Sequence, residues 1–236
     1  LAALALSFAS CGTALPNETT AGTTSAADET DAPKTVIRVG GLTGPTSMGL
    51  VKVMADDENN NAANDYEFTI VGSADELTPK LIQGQLDAAA IPANLAAVLY
   101  KNTNGALQIA AVNTLGVLYI VEKGETVNAL DDLKGKTIYA TGKGSVPEYN
   151  LRYILLQNGI NPDKDITIEW KSEPAEVVAL LSAKGGVAML PQPYVTIAKG
   201  SVEGLRTVLD LTGEWEKLNN GSLPITGVLV VRRDFA

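Results

Sequence analysis

Residues 137–158, TIYATGKGSVPEYNLRYILLQN, read as strand, glycine loop and helix without interruption. Thr137, Ile138 and Tyr139 are β-branched or aromatic and suit a strand, and Gly142 and Gly144 allow the backbone to turn tightly. Ser145 to Glu148 has the S-x-x-E spacing of a capping box, and Pro147 fits a first helical turn. Leu151, Ile154 and Leu155 recur at helical spacing as a buried stripe, and Asn158-Gly159 is a stop signal. Such a unit presents a helix N-terminus, with unpaired N–H donors and a positive dipole end, at a loop tip where an oxyanion or a polar ligand edge is held.

The same pattern occurs earlier. Residues 35–39 form a β-branched strand, and the loop 40–47, GGLTGPTS, runs into a helix expected over 48–55. Thr43-Gly44-x-x-Ser47 matches Thr141-Gly142-x-x-Ser145 at an offset of 98 residues, the difference between 141 and 43. A second correspondence lies at offset 99, where Leu81 falls on Leu180, Ala89 on Ala188 and Pro92 on Pro191. Two stretches at nearly one offset predict a duplicated α/β lobe. Strands are expected at 66–71, 86–91, 116–122, 166–170, 187–190 and 205–209, with helices near 79–83, 129–133 and 174–183 and another from Pro193. The apolar run 226–232 mirrors 116–121 and is expected to pair with it as a two-stranded connection.

The chain has 236 residues, enough for two lobes of ordinary domain size. Its formal charge of −9 and lack of Lys/Arg clusters argue against nucleic acid. It contains no histidine and one cysteine, Cys11, so a Ser-His-Asp or Cys-His nucleophile, a Cys/His zinc site and an intrachain disulfide framework are unavailable. Carboxylate chemistry, hard-cation binding and plain recognition remain, and no cofactor or metal is expected. Lys136 follows Gly135 as in a phosphate-binding P-loop, but Leu130 stands where that motif requires glycine. Gly142-x-Gly144 begins a dinucleotide fingerprint, but Pro147 stands where its last glycine belongs.

Residues 1–10, LAALALSFAS, form an apolar run leading into Cys11-Gly12 and read as the core of a signal peptide. Phe8-Ala9-Ser10-Cys11 resembles the bacterial lipobox, which makes Cys11 the expected lipidation site, although Phe8 is unusual there. Residues 12–33 are rich in Thr, Ala, Ser and acid and predict a flexible tether. The expected location is outside the cytoplasm, lipid-anchored to a bacterial cell membrane. The chain lacks an initiating Met and a basic leader, so it is expected to begin within the signal peptide. The other reading of this segment is a buried N-terminal helix with a structural cysteine.

From Val36 onward the chain resembles the extracytoplasmic solute-binding proteins of ABC importers, in particular the nitrate/sulfonate/taurine and thiamine-pyrimidine-precursor branch. The carriers are Asp131-Asp132-Leu133-Lys134-Gly135-Lys136-Thr137-Ile138, Pro191-Gln192-Pro193-Tyr194, and residues 228–235 as a returning strand. The resemblance implies two similar α/β lobes joined by a two-strand hinge around a central ligand cleft. The expected division is tether 1–33, first lobe 34–115 with 226–236, and second lobe 116–225. Family members continue through further helices, so truncation at the C-terminus is expected. The implied partners are a small-molecule solute and an ABC permease with its ATPase, and the implied state is a monomer.

The candidate ligand-binding residues are Gly44, Thr46 and Ser47 from one lobe with Gly142, Gly144 and Ser145 from the other. Ser47 and Ser145 equally fit plain helix caps, which predicts a stability cost of about 1 kcal/mol for Ser145→Ala. Asn94, Gln192 and Tyr194 follow buried strands at the carboxyl ends where open α/β sheets place ligands. Asn113 and Thr114 are either a wall of the site or a hinge turn. Glu148, Glu173 and Asp87 are the nearest carboxylates, with capping or a solvated face as their competing roles. Two facing helix N-termini without an acidic clamp favour an anion or a neutral heterocycle over a cation. The alternatives are an enzyme on the same fold, of the menaquinone-pathway type, and a tethered sensory or interaction domain.

Overall fold

The computed structural model describes residues 34–236. Cys11, the signal-peptide core and the tether lie outside the described residues. Two five-stranded sheets organise the chain, and their strand orders are the same device used twice.

In lobe I, β1 (Val36–Leu42) pairs in parallel with β2 (Asp65–Val71) on one side and β3 (Ala88–Pro92) on the other. The returning strand β10 (Ile225–Arg232) runs antiparallel between β3 and the edge strand β4 (Leu107–Leu115), giving the order β2-β1-β3-β10-β4. In lobe II, β6 (Thr137–Ala140) pairs in parallel with β7 (Thr167–Trp170) and β8 (Gly186–Pro191). There β5 (Leu118–Lys123) lies antiparallel between β8 and β9 (Leu205–Asp210), giving β7-β6-β8-β5-β9. Each sheet therefore has one strand antiparallel to both of its neighbours, β10 in lobe I and β5 in lobe II, and each follows directly on a crossing between the lobes. Pro92 faces Gly227 in one sheet where Pro191 faces Leu118 in the other.

Helices cover the sheets unequally. Lobe I carries α1 (Pro45–Met48), α2 (Val51–Glu58), α3 (Ala74–Ile82) and α4 (Ala93–Asn102). Leu77 and Leu81 from α3 and Ala96 and Leu99 from α4 pack under β3 and β10 against Ile91, Val228 and Val230. The other face holds only Val39, Leu50 and Ala90 as fully buried members. Lobe II carries a 3₁₀ turn at Leu130–Leu133, then α5 (Val146–Gln157), α6 (Pro174–Lys184), α7 (Tyr194–Ser201) and α8 (Leu211–Lys217). Leu151, Ile154 and Leu155 of α5 fill one face with Leu130, Leu133 and Leu211, while Val177, Leu181, Val195 and Ala198 fill the other.

Three expectations need correction. The helix expected over 48–55 is broken into α1 and α2 around Gly49 and Leu50. Residues 226–232 do not pair along 116–121: β10 belongs to lobe I and β5 to lobe II, and they meet only where the chain crosses. There the Gly116 N–H donates to the Pro224 carbonyl (2.9 Å) and the Thr226 hydroxyl to the Gly116 carbonyl (2.8 Å). A two-strand connection is thus two crossings tied at one point, because each strand finds its neighbours inside its own sheet. Strand β4 and helices α4 and α8 are absent from the sequence expectations; β4, LQIAAVNTL, lacks strict alternation, although Asn104-Gly105 and Gly116 punctuate its two ends.

Each lobe is also fastened by a carboxylate away from the cleft. Asp87, 3% exposed, accepts from the Arg38 guanidinium (2.6 and 2.9 Å) and the Arg38 N–H (2.9 Å). The hydrogen-bonded Arg38 outweighs burial and holds this carboxyl below its ordinary range. Glu122, 2% exposed, is pushed up by burial. The hydroxyl and N–H of Thr126, the N–H of Val127 and the Arg206 guanidinium together overcome that push and lower it.

Candidate functional site

A cleft of about 190 Å³ lies between the lobes and is lined by both. Lobe I contributes Leu42, Thr43, Pro45, Thr46, Gly72, Pro92 and Thr226; the other wall comes from Thr141, Gly142, Ser145, Pro147, Ser172, Glu173, Pro174 and Pro191, with Val117 and Leu118 at the crossing. The duplicated positions return on both walls, Thr43 and Pro92 on one, Thr141 and Pro191 on the other. A larger hollow of about 440 Å³, floored by Leu81, Leu107 and Arg232, belongs to lobe I alone and so offers nothing for a second lobe to close on.

Of the sequence candidates, Thr46, Gly142 and Ser145 line the cleft. Gly142 has φ +82°, and a Cβ there would lie 2.8 Å from Pro147 Cγ, so glycine is required both for the turn and for the close approach of the helix start. Ser145 occupies the N-cap position of α5, but its hydroxyl makes no capping bond. The expected capping box is absent for a local reason: Glu148 reaches past Ser145 and accepts from the Gly144 N–H at 2.7 Å. The Ser145 hydroxyl is left available to the cleft.

Ser47 is not a cap. Gly44 is the N-cap residue of α1, and Ser47 sits inside that turn and donates to the Leu42 carbonyl at 2.6 Å. Asn113 and Thr114 stand behind the loop: Asn113 Nδ2 donates to the Thr46 carbonyl at 2.8 Å, and the Thr114 hydroxyl donates to Asn113 Oδ1 at 3.2 Å. Gly227 leaves room for this prop, since a Cβ there would lie 2.7 Å from Thr46 Cγ2 and 2.9 Å from Asn113 Oδ1. Gln192 and Tyr194 flank the wall without lining it, and the Gln192 side chain accepts from the Thr196 hydroxyl at 3.0 Å. Asn94 bridges the lobes, its Nδ2 donating to the Gly144 carbonyl at 3.2 Å, while its buried Oδ1 has no partner among the described residues.

Thr43 and Thr141 also line the cleft; they open the two copies of the repeated motif, and the repeat is the signal that marks both. Ser172 follows β7, and Thr226 opens β10; strand ends at the cleft edge mark them, but no spacing did. Among the described residues, no lysine or arginine lines the cleft, and Glu173 is its one ionisable group. The hydroxyls of Thr46, Thr141, Ser145 and Ser172 engage no partner among the described residues. Ser145 and Ser172 stand at the starts of α5 and α6, whose dipole ends favour negative charge, and the Glu173 carboxylate lines the same wall. No group of three or more His, Cys, Asp or Glu residues able to hold a metal ion occurs among the described residues.

The comparisons agree with this architecture. No curated protein matches the sequence. A solved ABC transporter protein from Parabacteroides distasonis superposes with TM-score 0.66 at 25% identity, covering 85% of this chain and 67% of that one. The periplasmic aliphatic sulphonate binding protein SsuA from Escherichia coli gives TM-score 0.64 at 19% identity, with coverage of 87% and 67%. The alkanesulfonate-binding protein SsuA from Xanthomonas axonopodis pv. citri, bound to MOPS, gives 0.59 at 21% identity, with coverage of 87% and 68%. The chain spans about two thirds of the length of these structures. The family model for periplasmic substrate-binding proteins of phosphonate ABC transporters matches residues 58–199, more than half of the chain. The two-lobed sheets, the shared cleft and that match together place the chain in the periplasmic substrate-binding protein family of ABC transporters, phosphonate type, whose members bind and are not enzymes.

Proposed function

We propose that this protein captures a small solute bearing a phosphonate, sulfonate or similar oxyanion group between its lobes and presents it to the permease and ATPase of an ABC importer. The observation that carries the reading is the cleft itself, which both lobes line with hydroxyls, Thr46 from one and Thr141, Ser145 and Ser172 from the other. A solute that touches both walls stabilises the closed arrangement by its differential affinity, whereas one that touches a single wall leaves the equilibrium unchanged. Thr46, Gly142 and Ser145 serve as direct contacts, joined by Thr43, Thr141 and Ser172. Asn94 supplies an acceptor at the interlobe contact, and Gly44, Ser47, Asn113, Thr114, Gly144, Gln192 and Tyr194 shape the walls.

The protein works as a monomer held at the outer face of the cell membrane through a lipid on Cys11. Acyl burial of roughly 0.8 kcal/mol per CH₂ makes such an anchor sufficient when the cysteine carries more than one chain.

A calorimetric and thermal-shift comparison of methylphosphonate, methanesulfonate, nitrate, bicarbonate and a pyrimidine tests the reading. One oxyanion class is expected to raise the melting temperature, and Ser145→Ala to weaken its binding. Absence of stabilisation by every probe at millimolar concentration would eliminate the capture role.

A further inference from the structure

Three Asn-Gly pairs occur in the chain, at Asn104-Gly105, Asn158-Gly159 and Asn220-Gly221. An asparagine before glycine is open to attack by its own backbone, because glycine has no Cβ to keep its nitrogen from the side-chain carbonyl carbon. By sequence the three are alike, and by structure they are not.

At the first two pairs the attacking nitrogen is held. The Gly105 N–H donates to the Tyr100 carbonyl at 2.8 Å, and the glycine is buried, so that a Cβ there would lie 3.4 Å from the Tyr100 ring. The Gly159 N–H donates to the Leu156 carbonyl at 3.1 Å, and the Asn158 side chain is drawn back along α5, its Nδ2 donating to the Ile154 carbonyl at 2.8 Å. Either pair reacts only after its turn has opened. Asn220-Gly221 differs in both partners. It lies exposed in the second crossing, between α8 and β10. The Gly221 N–H engages no acceptor among the described residues. Asn220 Oδ1 accepts from the Ser222 N–H (3.0 Å) and the Ser222 hydroxyl (2.7 Å), two donors that draw electron density from the side-chain carbonyl. Its Nδ2 is held by a single bond of 3.3 Å to the Tyr153 hydroxyl.

We propose that Asn220 is a site of spontaneous modification, the position at which this protein deamidates first. The Gly221 nitrogen, its proton taken by hydroxide, attacks Asn220 Cγ; an N–Cγ bond forms, the Cγ–Nδ2 bond breaks, and ammonia leaves with a proton from water. Water then opens the succinimide at either carbonyl, leaving aspartate or, with the main chain rerouted through the side-chain carbon, isoaspartate. Nothing is oxidised or reduced. Each product adds a negative charge to a chain already at −9 and removes the donor to Tyr153. Isoaspartate also adds a methylene to the main chain of the crossing that leads into β10, the strand that completes the sheet of lobe I.

The test is incubation of the purified full chain at mildly alkaline pH, then digestion in acid and mass spectrometry of the three peptides. Amide-to-acid conversion is read site by site, and aspartate and isoaspartate separate by chromatography. Asn220 is expected to convert about tenfold faster than Asn104 or Asn158, the factor set by opening one hydrogen-bonded turn. In guanidinium chloride the three rates should converge, since glycine follows each asparagine. Ser222→Ala, which removes the hydroxyl donor, should slow Asn220 in the folded chain alone. Conversion of Asn104 or Asn158 as fast as Asn220 in the folded chain, the same ranking in denaturant, or no conversion at Asn220 while the denatured chain reacts would each overturn the proposal. A Ser222→Ala chain that converts as fast as the parent would overturn the part given to that hydroxyl.

Discussion

Edge strands β4 and β9 occupy equivalent places in the two sheets, yet their surroundings differ. On β9, Leu209 is buried beneath Leu211, with Trp215 of α8 packed alongside. On β4, Ile109 and Val112 remain 57% and 48% exposed, and no charged residue interrupts the strand. The cleft loops differ in the same sense. The loop of lobe II leads into a twelve-residue helix anchored by Leu151, Ile154 and Leu155, so apolar packing sets its position. The loop of lobe I leads into a four-residue helix held by polar ties from Ser47 and Asn113. One topology thus presents two similar walls by two physical means, a hydrophobic anchor in lobe II and hydrogen bonds in lobe I.

The largest test of that contrast is in the cores. Leu155→Ala, at a site with no exposure, is expected to cost about 4 kcal/mol, and Leu50→Ala, on the thinner face of lobe I, about 2 kcal/mol, measured by urea unfolding. Equal costs would break the contrast.

Next come the carboxylate fasteners. Glu122→Gln is expected to cost about 2 kcal/mol, since it removes the buried partner of an ion pair whose Arg206 end is partly solvated and weakens three other hydrogen bonds. Both Asp87 and Glu122 have lowered pKa values in the folded state. Their contribution is therefore complete above the ordinary carboxylate range near pH ~4 and is lost as pH falls through the lowered values. Urea midpoints between neutral and acid pH should drop for the parent and drop less for the Asp87→Asn/Glu122→Gln double variant. An unchanged slope would separate these groups from acid unfolding.

The smallest effects concern the two serines. Ser47→Ala should cost about 1 kcal/mol, because its bond to the Leu42 carbonyl is lost. Ser145→Ala should cost less than about 0.5 kcal/mol, having no capping bond to lose, while lowering solute affinity. Similar stability losses in both would mean that Ser145 acts as a cap after all.

Much of the architecture was legible because duplication leaves a trace at fixed offset. Pro92 and Pro191 mark equivalent strand ends, and the glycine loops before residues 47 and 145 mark equivalent turns. What the sequence could not convey was direction. Asn113 and Thr114 have the polarity of ligand contacts, yet they point at the backbone of α1, and only the register of β4 against β10 determines that. Ser47 and Ser145 sit at matching positions in the motif, but α1 starts at Pro45, so one hydroxyl turns back to a carbonyl and the other does not. A three-residue difference in where a helix begins leaves almost no trace in composition.

The placement of β10 also bears on how a chain that emerges N-terminus first is assembled. Lobe II completes its sheet with strands drawn from one continuous stretch, 118–210. Lobe I keeps a slot between β3 and β4 that only residues 225–232 fill, so a chain emerging N-terminus first has all the strands of lobe II before it has all those of lobe I. The N-terminal half of the sequence is thus the last to close its hydrogen-bond ladder, and the pairing of β10 with β3 is a long-range contact of the kind that slows folding.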